Sequence, residues 1–270
     1  QTYSDQYGSS YSAETVTVAC TDGTSNTYQY ANSAFSAGSF VRVTIAGGSV
    51  AIVSPGTVSL SGTVNSAATT LGSYAFADDI QIMDTTANGT YLITSPARLA
   101  GLTLSGDQVR YYVLNASGKI SRLILNDVTG DGYKYGILTK VVNNYSTTSL
   151  DMSGSYSYVI GGTSGSYSSA NLLFGVTTGP ALFEFSGSSI VKLRNLTEVS
   201  LTSLDSAYAV GGGVKYPLGD GVSVYLYSGG SYSLRSISSV NDTGSYSLCG
   251  YYDKAPSSGG RIRVVIAYKN

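Results

Sequence analysis

The sequence predicts an all-β protein made of two tandem, homologous small β-barrel or β-sandwich units. Three observations predict it. Short runs rich in β-branched and aromatic residues alternate apolar with polar positions. Glycine-rich turns separate those runs at close spacing. The whole pattern then occurs a second time, about 140 residues further on.

The strand signals are local and ordered. Phe40-Val41-Arg42-Val43-Thr44-Ile45, a Gly47-Gly48 turn and Ser49-Val50-Ala51-Ile52-Val53 predict a hairpin. Phe183-Glu184-Phe185, Ser186-Gly187-Ser188-Ser189 and Ile190-Val191-Lys192-Leu193 form its counterpart. Val222 to Tyr227, Ser228-Gly229-Gly230 and Ser231 to Leu234 form another. Helix signals are thin: the best candidate, Ser66 to Tyr74, has no sustained 3.6-residue period.

The repeat is read from matched residues. Gly23-Thr24, Tyr28 and Ala31-Asn32 return as Gly162-Thr163, Tyr167 and Ala170-Asn171. Asp78 with Ile80 returns as Asp220 with Val222, and Tyr111-Tyr112 as Tyr251-Tyr252. Gly118 to Ile124 returns as Gly260 to Ile266. A period of this length suits a whole domain. The expected units are 1–142 and 143–270, joined by the polar stretch Asn143 to Ser149. The last repeated strand predicts that Ile120 and Ile262 face inward, with a β-bulge or an exposed face at Arg122.

Composition narrows the function. Only 11% of the 270 residues are charged and the formal net charge is −1. Such a surface has no field to attract nucleic acid or an anionic membrane. No apolar run reaches the length of a membrane helix, so no membrane insertion is expected. The chain holds 33 Gly and 24 Tyr but no Trp and no His, a balance closer to extracellular β-structure than to a cytosolic enzyme. It begins at Gln1, which reads as a processed form or a piece of something longer. Without His, a Ser-His-Asp or Cys-His arrangement is impossible, and a three-ligand zinc site is disfavoured. No catalytic residues, metal or cofactor are expected, and the chain reads as a non-enzyme.

Five features remain as candidates. Asp127-Val128-Thr129-Gly130-Asp131-Gly132-Tyr133 has the opening spacing of a calcium loop, but Leu138 stands where a bidentate carboxylate belongs. It reads as a hairpin turn that uses Asp and Gly at positive φ, with no tightly held ion. Asp78 and Asp79 are adjacent, which sends them to opposite faces of a strand. Lys119, Arg122, Arg261 and Arg263 read as charges that protect edge strands. Cys20 and Cys249 align with aliphatic residues, Val159 and Val109, and are expected as two free, buried thiols. Tyr111, Tyr112, Tyr251 and Tyr252 are the candidate ligand contacts, because a Tyr ring joins an apolar face to one hydroxyl. Each pair is expected to point one ring in and one out.

The segment Leu125-Asn126-Asp127-Val128-Thr129-Gly130-Asp131-Gly132-Tyr133-Lys134-Tyr135-Gly136 resembles a recurrent segment in surface proteins of Gram-positive gut Clostridia. Many of those carry S-layer homology domains elsewhere in the chain. Gly250-Tyr251-Tyr252-Asp253, followed by Gly259 to Val265, is similar to their C-terminal pattern. The resemblance covers about a quarter of the chain by motif and implies an extracellular, cell-envelope location. It implies no activity, and the wall-anchoring motifs are not in this sequence. The expected role is a non-catalytic structural or adhesive region of a bacterial cell-surface protein. Its expected partners are cell-wall or host glycans or other surface proteins. Two alternatives are a glycan-binding module using exposed tyrosines and an accessory region of a larger extracellular enzyme.

Overall fold

The computed structural model describes residues 2–4, 10–12, 14–30, 35–36, 38–56, 58–145, 152–170 and 173–270. The repeat positions Ala31-Asn32 and Asn171 lie outside these residues. The chain is all-β, as its turn and alternation pattern predicts. Helical turns among the described residues are four short 3-10 segments, Pro96–Leu99, Gly106–Gln108, Ile237–Ser239 and Pro256–Ser258. The helix candidate Ser66 to Tyr74 is instead a turn and a two-residue strand.

Two compact units divide the chain at Val128 and Thr129. The junction expected at 142/143 falls inside a twelve-residue strand, Lys134–Tyr145. Asn143, Asn144 and Tyr145 resemble a connector because they are exposed, yet they complete that strand. Residues 146–149 of the expected connector lie outside the described residues.

The first unit contains β1 (Thr2–Ser4), β2 (Ser10–Ser12), β3 (Thr15–Ala19), β4 (Ser25–Gln29), β5 (Arg42–Ala46) and β6 (Ser49–Val53). These form three antiparallel hairpins. At the tight turn of β5–β6, Gly47 and Gly48 have φ of +56° and +79°, values that L side chains resist. There follow β7 (Gly62–Thr63), β8 (Thr70–Leu71), β9 (Tyr74–Thr85), β10 (Tyr91–Thr94), β11 (Thr103–Leu104), β12 (Val109–Leu114) and β13 (Ile120–Asn126). The principal sheet has the order β10-β9-β13-β12, with β8 on β9. Its inner face buries Ile82, Ile120, Leu123 and Leu125 against Val64, Leu71, Leu99 and Leu104.

The second unit contains β14 (Lys134–Tyr145), β15 (Met152–Ile160), β16 (Thr163–Ser169), β17 (Gly179–Ser186) and β18 (Ser189–Asn195). They form one sheet of order β16-β15-β14-β17-β18. There follow β19 (Thr197–Leu201), β20 (Ser203–Leu204), β21 (Tyr208–Gly211), β22 (Val214–Ser228), β23 (Ser231–Arg235), β24 (Tyr246–Tyr252) and β25 (Ile262–Lys269). The second sheet has the order β19-β24-β25-β22-β21-β20, with β23 on β22. One core joins the two sheets through Ile137 and Leu182 on one side and Tyr225, Tyr251, Val264 and Ile266 on the other. Leu201, Leu218, Val224, Leu248, Ile262 and Val265 fill the opposite face of the second sheet.

The principal sheets of the two units share a register. β13 runs parallel to β9, pairing Ile120 with Phe76, Arg122 with Gln81 and Leu123 with Ile82. β25 runs parallel to β22, pairing Ile262 with Leu218, Val264 with Ser223 and Val265 with Val224. All six residues of the first set return in the second at an offset of 142. The irregularity between Ile120 and Arg122 also returns, between Ile262 and Val264, when each strand is read against its antiparallel neighbour. Ile120 and Ile262 are both fully buried, and the bulge turns Arg122 to an exposed face. This bulge is the one the mismatch of Arg122 with Val264 predicts.

The register corrects one alignment. Tyr251 pairs with Val264, and Val113 pairs with Arg122 at the matching place. The offset on this strand is therefore 138, and Tyr251 corresponds to Val113 rather than to Tyr111. Both strands carry Tyr-Tyr, so similarity of residues favoured an alignment two residues out of step. Pairing geometry, not residue likeness, fixes the register.

Candidate functional site

The four tyrosines are engaged in packing to different degrees. Tyr251 is buried, and its hydroxyl donates to Glu198 Oε2 at 2.9 Å. Tyr252 is half-buried and stacks on Tyr216, ring centroids 5.3 Å apart. Tyr112 is half-buried and packs on Tyr74 at 6.0 Å. Tyr111 lies on the other face, 5.4 Å from Phe40. The alternation between faces is as expected. The outward ring of the second pair does not meet water, however, because a second sheet covers that face. Tyr111 and Phe40 line an open cleft of about 730 Å³.

The calcium-like loop serves a different purpose. Asp127 and Gly130 take positive φ, +51° and +70°, as the turn reading requires. The flanking strands do not pair with each other: β13 belongs to one sheet and β14 to another. The segment is thus a crossover, not a hairpin turn. Arg263 approaches it from β25. One guanidinium nitrogen of Arg263 lies 2.7 Å from Asp131 Oδ1, and another donates to the Thr129 carbonyl at 2.6 Å. Its Nε and Nη2 both lie 2.9 Å from Asp253 Oδ2. The Tyr135 ring sits beneath the guanidinium at 4.8 Å, and its hydroxyl donates to Gly130 O at 2.6 Å, with Asp253 Oδ2 at 3.0 Å. Asp253 Oδ1 accepts from the backbone N–H of Arg261 at 2.9 Å.

This network is deeply buried. Side-chain exposure is 3% for Arg263, 1% for Asp253 and 12% for Asp131. Burial opposes the charge on Arg263, but Tyr135, Asp253 and Asp131 outweigh it and hold the guanidinium protonated. Its donors meet two carboxylates and a backbone carbonyl of the same unit. Among the described residues, no group of three or more His, Cys, Asp or Glu is arranged to hold a metal.

The edge-protection reading of the basic residues is not what the structure contains. β13 and β25 are interior strands of their sheets. Arg263 is buried, while Lys119 and Arg261 hold exposed carboxylates, Asp78 at 3.7 Å and Asp220 at 3.1 Å. These two pairs again match at an offset of 142. Asp78 and Asp79 lie in a bulged stretch of β9 that pairs with no residue of β13. Both are exposed, in the stretch between Phe76 and Gln81 where β13 advances only from Ile120 to Arg122.

Both cysteines are free, Cys20 in the first unit and Cys249 in the second. They are half-buried rather than buried, a correction to the sequence expectation. Cys249 pairs with Ile266 on a face shared with Glu198 and Tyr268, not at the position of Val109. Burial and the nearby Glu198 carboxylate raise its pKa. Titration of the native chain without reductant should therefore give a faster thiol, Cys20, and a slower one, Cys249. Thiols that appear only after reduction would contradict this.

Two phenols give the fold an alkaline limit. Burial above all pushes Tyr135 far above its ordinary value of 10.0; Arg263 opposes this and Asp253 adds to it. Burial and then the hydrogen bond to Glu198 push Tyr251 up likewise. Above pH ~10 the unfolded chain loses these protons while the folded chain keeps them. Their stabilising contribution is complete below that pH and falls by up to ~1.4 kcal/mol per unit for each group above it. Urea midpoints between pH 9 and 11 should fall, and Tyr135→Phe should flatten the slope. A slope unchanged by Tyr135→Phe would refute the assignment.

Comparison with protein-family models, with curated proteins and with solved structures gives no match.

Proposed function

We propose that this chain is a non-catalytic structural or adhesive region of a bacterial cell-surface protein, acting outside the cell. The observation that carries the reading is the Arg263 network. It is the most elaborate assembly of charged groups described above, and its arginine and both carboxylates are largely buried against one another. A buried network of this kind fixes one packing arrangement. The resemblance of Leu125 to Gly136 and of Gly250 to Val265 to surface proteins of gut Clostridia supports the location. The low charge and high content of Ser, Thr, Gly and Tyr support an extracellular setting.

One observation favours glycan binding as the second reading: Tyr111 and Phe40 present aromatic surface to an open cleft. A glycan array separates the two. A structural role, or adhesion to other surface proteins, expects no saturable binding above background. Saturable binding lost on Tyr111→Ala would replace it with the lectin-like reading. Labelling of intact producing cells with antibody tests location, and signal only after lysis would exclude a surface role.

A further inference from the structure

The shared register of the principal sheets allows the two units to be compared position by position. In the second unit, Tyr225, Tyr251, Val264 and Ile266 are covered by Ile137 of β14, with Leu182 of β17 and Val159 of β15. β14 is the strand that joins two hairpins into one sheet, lying antiparallel to β15 on one side and to β17 on the other.

The first unit has the same two hairpins. β3–β4 corresponds to β15–β16, with Gly23-Thr24 matching Gly162-Thr163. β5–β6 corresponds to β17–β18, with Gly47 matching Gly187. Among the described residues these hairpins remain separate two-stranded sheets. A two-stranded hairpin standing alone is marginal in water. The residues matching the covered face of the second unit are Met83, Val113, Arg122 and Ile124. All four line the 730 Å³ cleft, whose other walls include β3, the start of β5 with Phe40 and Val41 before it, and the polar Gln81 and Arg110. The cleft therefore occupies the place that β14 fills in the second unit. Its floor sets Met83, Val113 and Ile124 beside the charged Arg122, and among the described residues β3 and β5 each pair with one strand only, which leaves the elements of strand addition.

We propose that this cleft is a strand-acceptor site. It takes one extended segment of a partner polypeptide, paired antiparallel to β3 on one side and to β5 on the other. The segment resembles Tyr133 to Val142, with alternate apolar side chains like those of Tyr133, Tyr135 and Ile137 resting on Met83 and Ile124. The proposal rests on the fold and not on the functional reading above.

The test uses the full chain and a fluorescein-labelled synthetic peptide with the sequence of residues 133–142. Fluorescence anisotropy should show saturable binding of one peptide per chain. A peptide carrying Ile137→Asp should bind at least tenfold more weakly. Val43→Glu, whose side chain lines the cleft, should weaken binding of the unaltered peptide at least tenfold. Thr44→Glu, exposed and outside the cleft lining, should leave it unchanged. Val113→Glu is the second cleft variant should Val43→Glu disturb the hairpin, and circular dichroism checks that each variant is folded. Absence of saturable binding would overturn the proposal, as would equal binding by the Val43→Glu and Thr44→Glu chains. A concentration-dependent dimer that the peptide dissolves would overturn the choice of partner, because a second copy would then be the occupant. Saturable glycan binding that Val43→Glu removes and the peptide does not compete for would make the cleft a sugar site instead.

Discussion

Replacing Arg263 with methionine should lower the stability of the second unit by about 3–5 kcal/mol, because it leaves two buried carboxylates without their counter-ion. Asp253→Ala should cost a similar amount by orphaning the guanidinium. The losses should not add. Arg263→Met combined with Asp131→Asn and Asp253→Asn removes all three charges and should recover much of the loss. Arg261→Ala is the control. Its partner Asp220 is exposed, so its ion pair is worth at most about 1 kcal/mol. Urea unfolding followed by tyrosine fluorescence would measure each. A loss below 1 kcal/mol for Arg263→Met would show that the network is not a principal support of the fold.

The second large effect is expected at the centre of the first sheet of the second unit. Ile137 is fully buried in the core between the sheets, and Ile137→Ala should cost about 2–5 kcal/mol through lost burial and the cavity left behind. Its neighbour Gly136 pairs with Ala181, and a side chain added there would run into the Val159 carbonyl and Ile160. Gly136→Val should therefore separate β14 from β15, at a cost of at least about 1–3 kcal/mol. Lys134→Ala, at an exposed position of the same strand, should stay within about 0.5 kcal/mol of the parent. Equal effects at Ile137 and Lys134 would mean that β14 is not the strand joining the two hairpins.

Local chemistry was legible in the sequence. The hairpins around Gly47-Gly48, Gly187-Ser188 and Gly229-Gly230 form where β-branched runs flank residues suited to tight turns. The inward placement of Ile120 and Ile262 and the bulge beside Arg122 also followed from comparing the similar sequences of β13 and β25. Pairings between distant segments were not legible. The parallel contact of β13 with β9 spans about 40 residues, and no local signal records it. Slippage of β12 against β24 was hidden because Tyr-Tyr occurs in both strands at different heights.

The Arg263 network was missed for a related reason. Arg261 and Arg263 stand two apart at the start of a strand-like run, as edge charges do, and their partners are far away in sequence. The spacing around Asp131 instead suggests a calcium ligand. The signal that could have linked them is the unequal pattern of the repeat: Ser121 stands where Arg263 does, at the same bulge. A charge present in one unit at a buried bulge and absent from the other asks for a partner outside the repeated pattern, and the Asp127 to Asp131 crossover supplies it.

The parallel pairs at the centre of the two principal sheets, β9–β13 and β22–β25, share one register. Cross-strand nuclear Overhauser effects in deuterated, 15N-labelled protein test it most directly. The structure predicts parallel contacts between Leu123 and Ile82 in the first unit and between Val265 and Val224 in the second, each 142 residues from its counterpart. A register that differs between the units by even one residue, or an antiparallel contact in either of them, would contradict it.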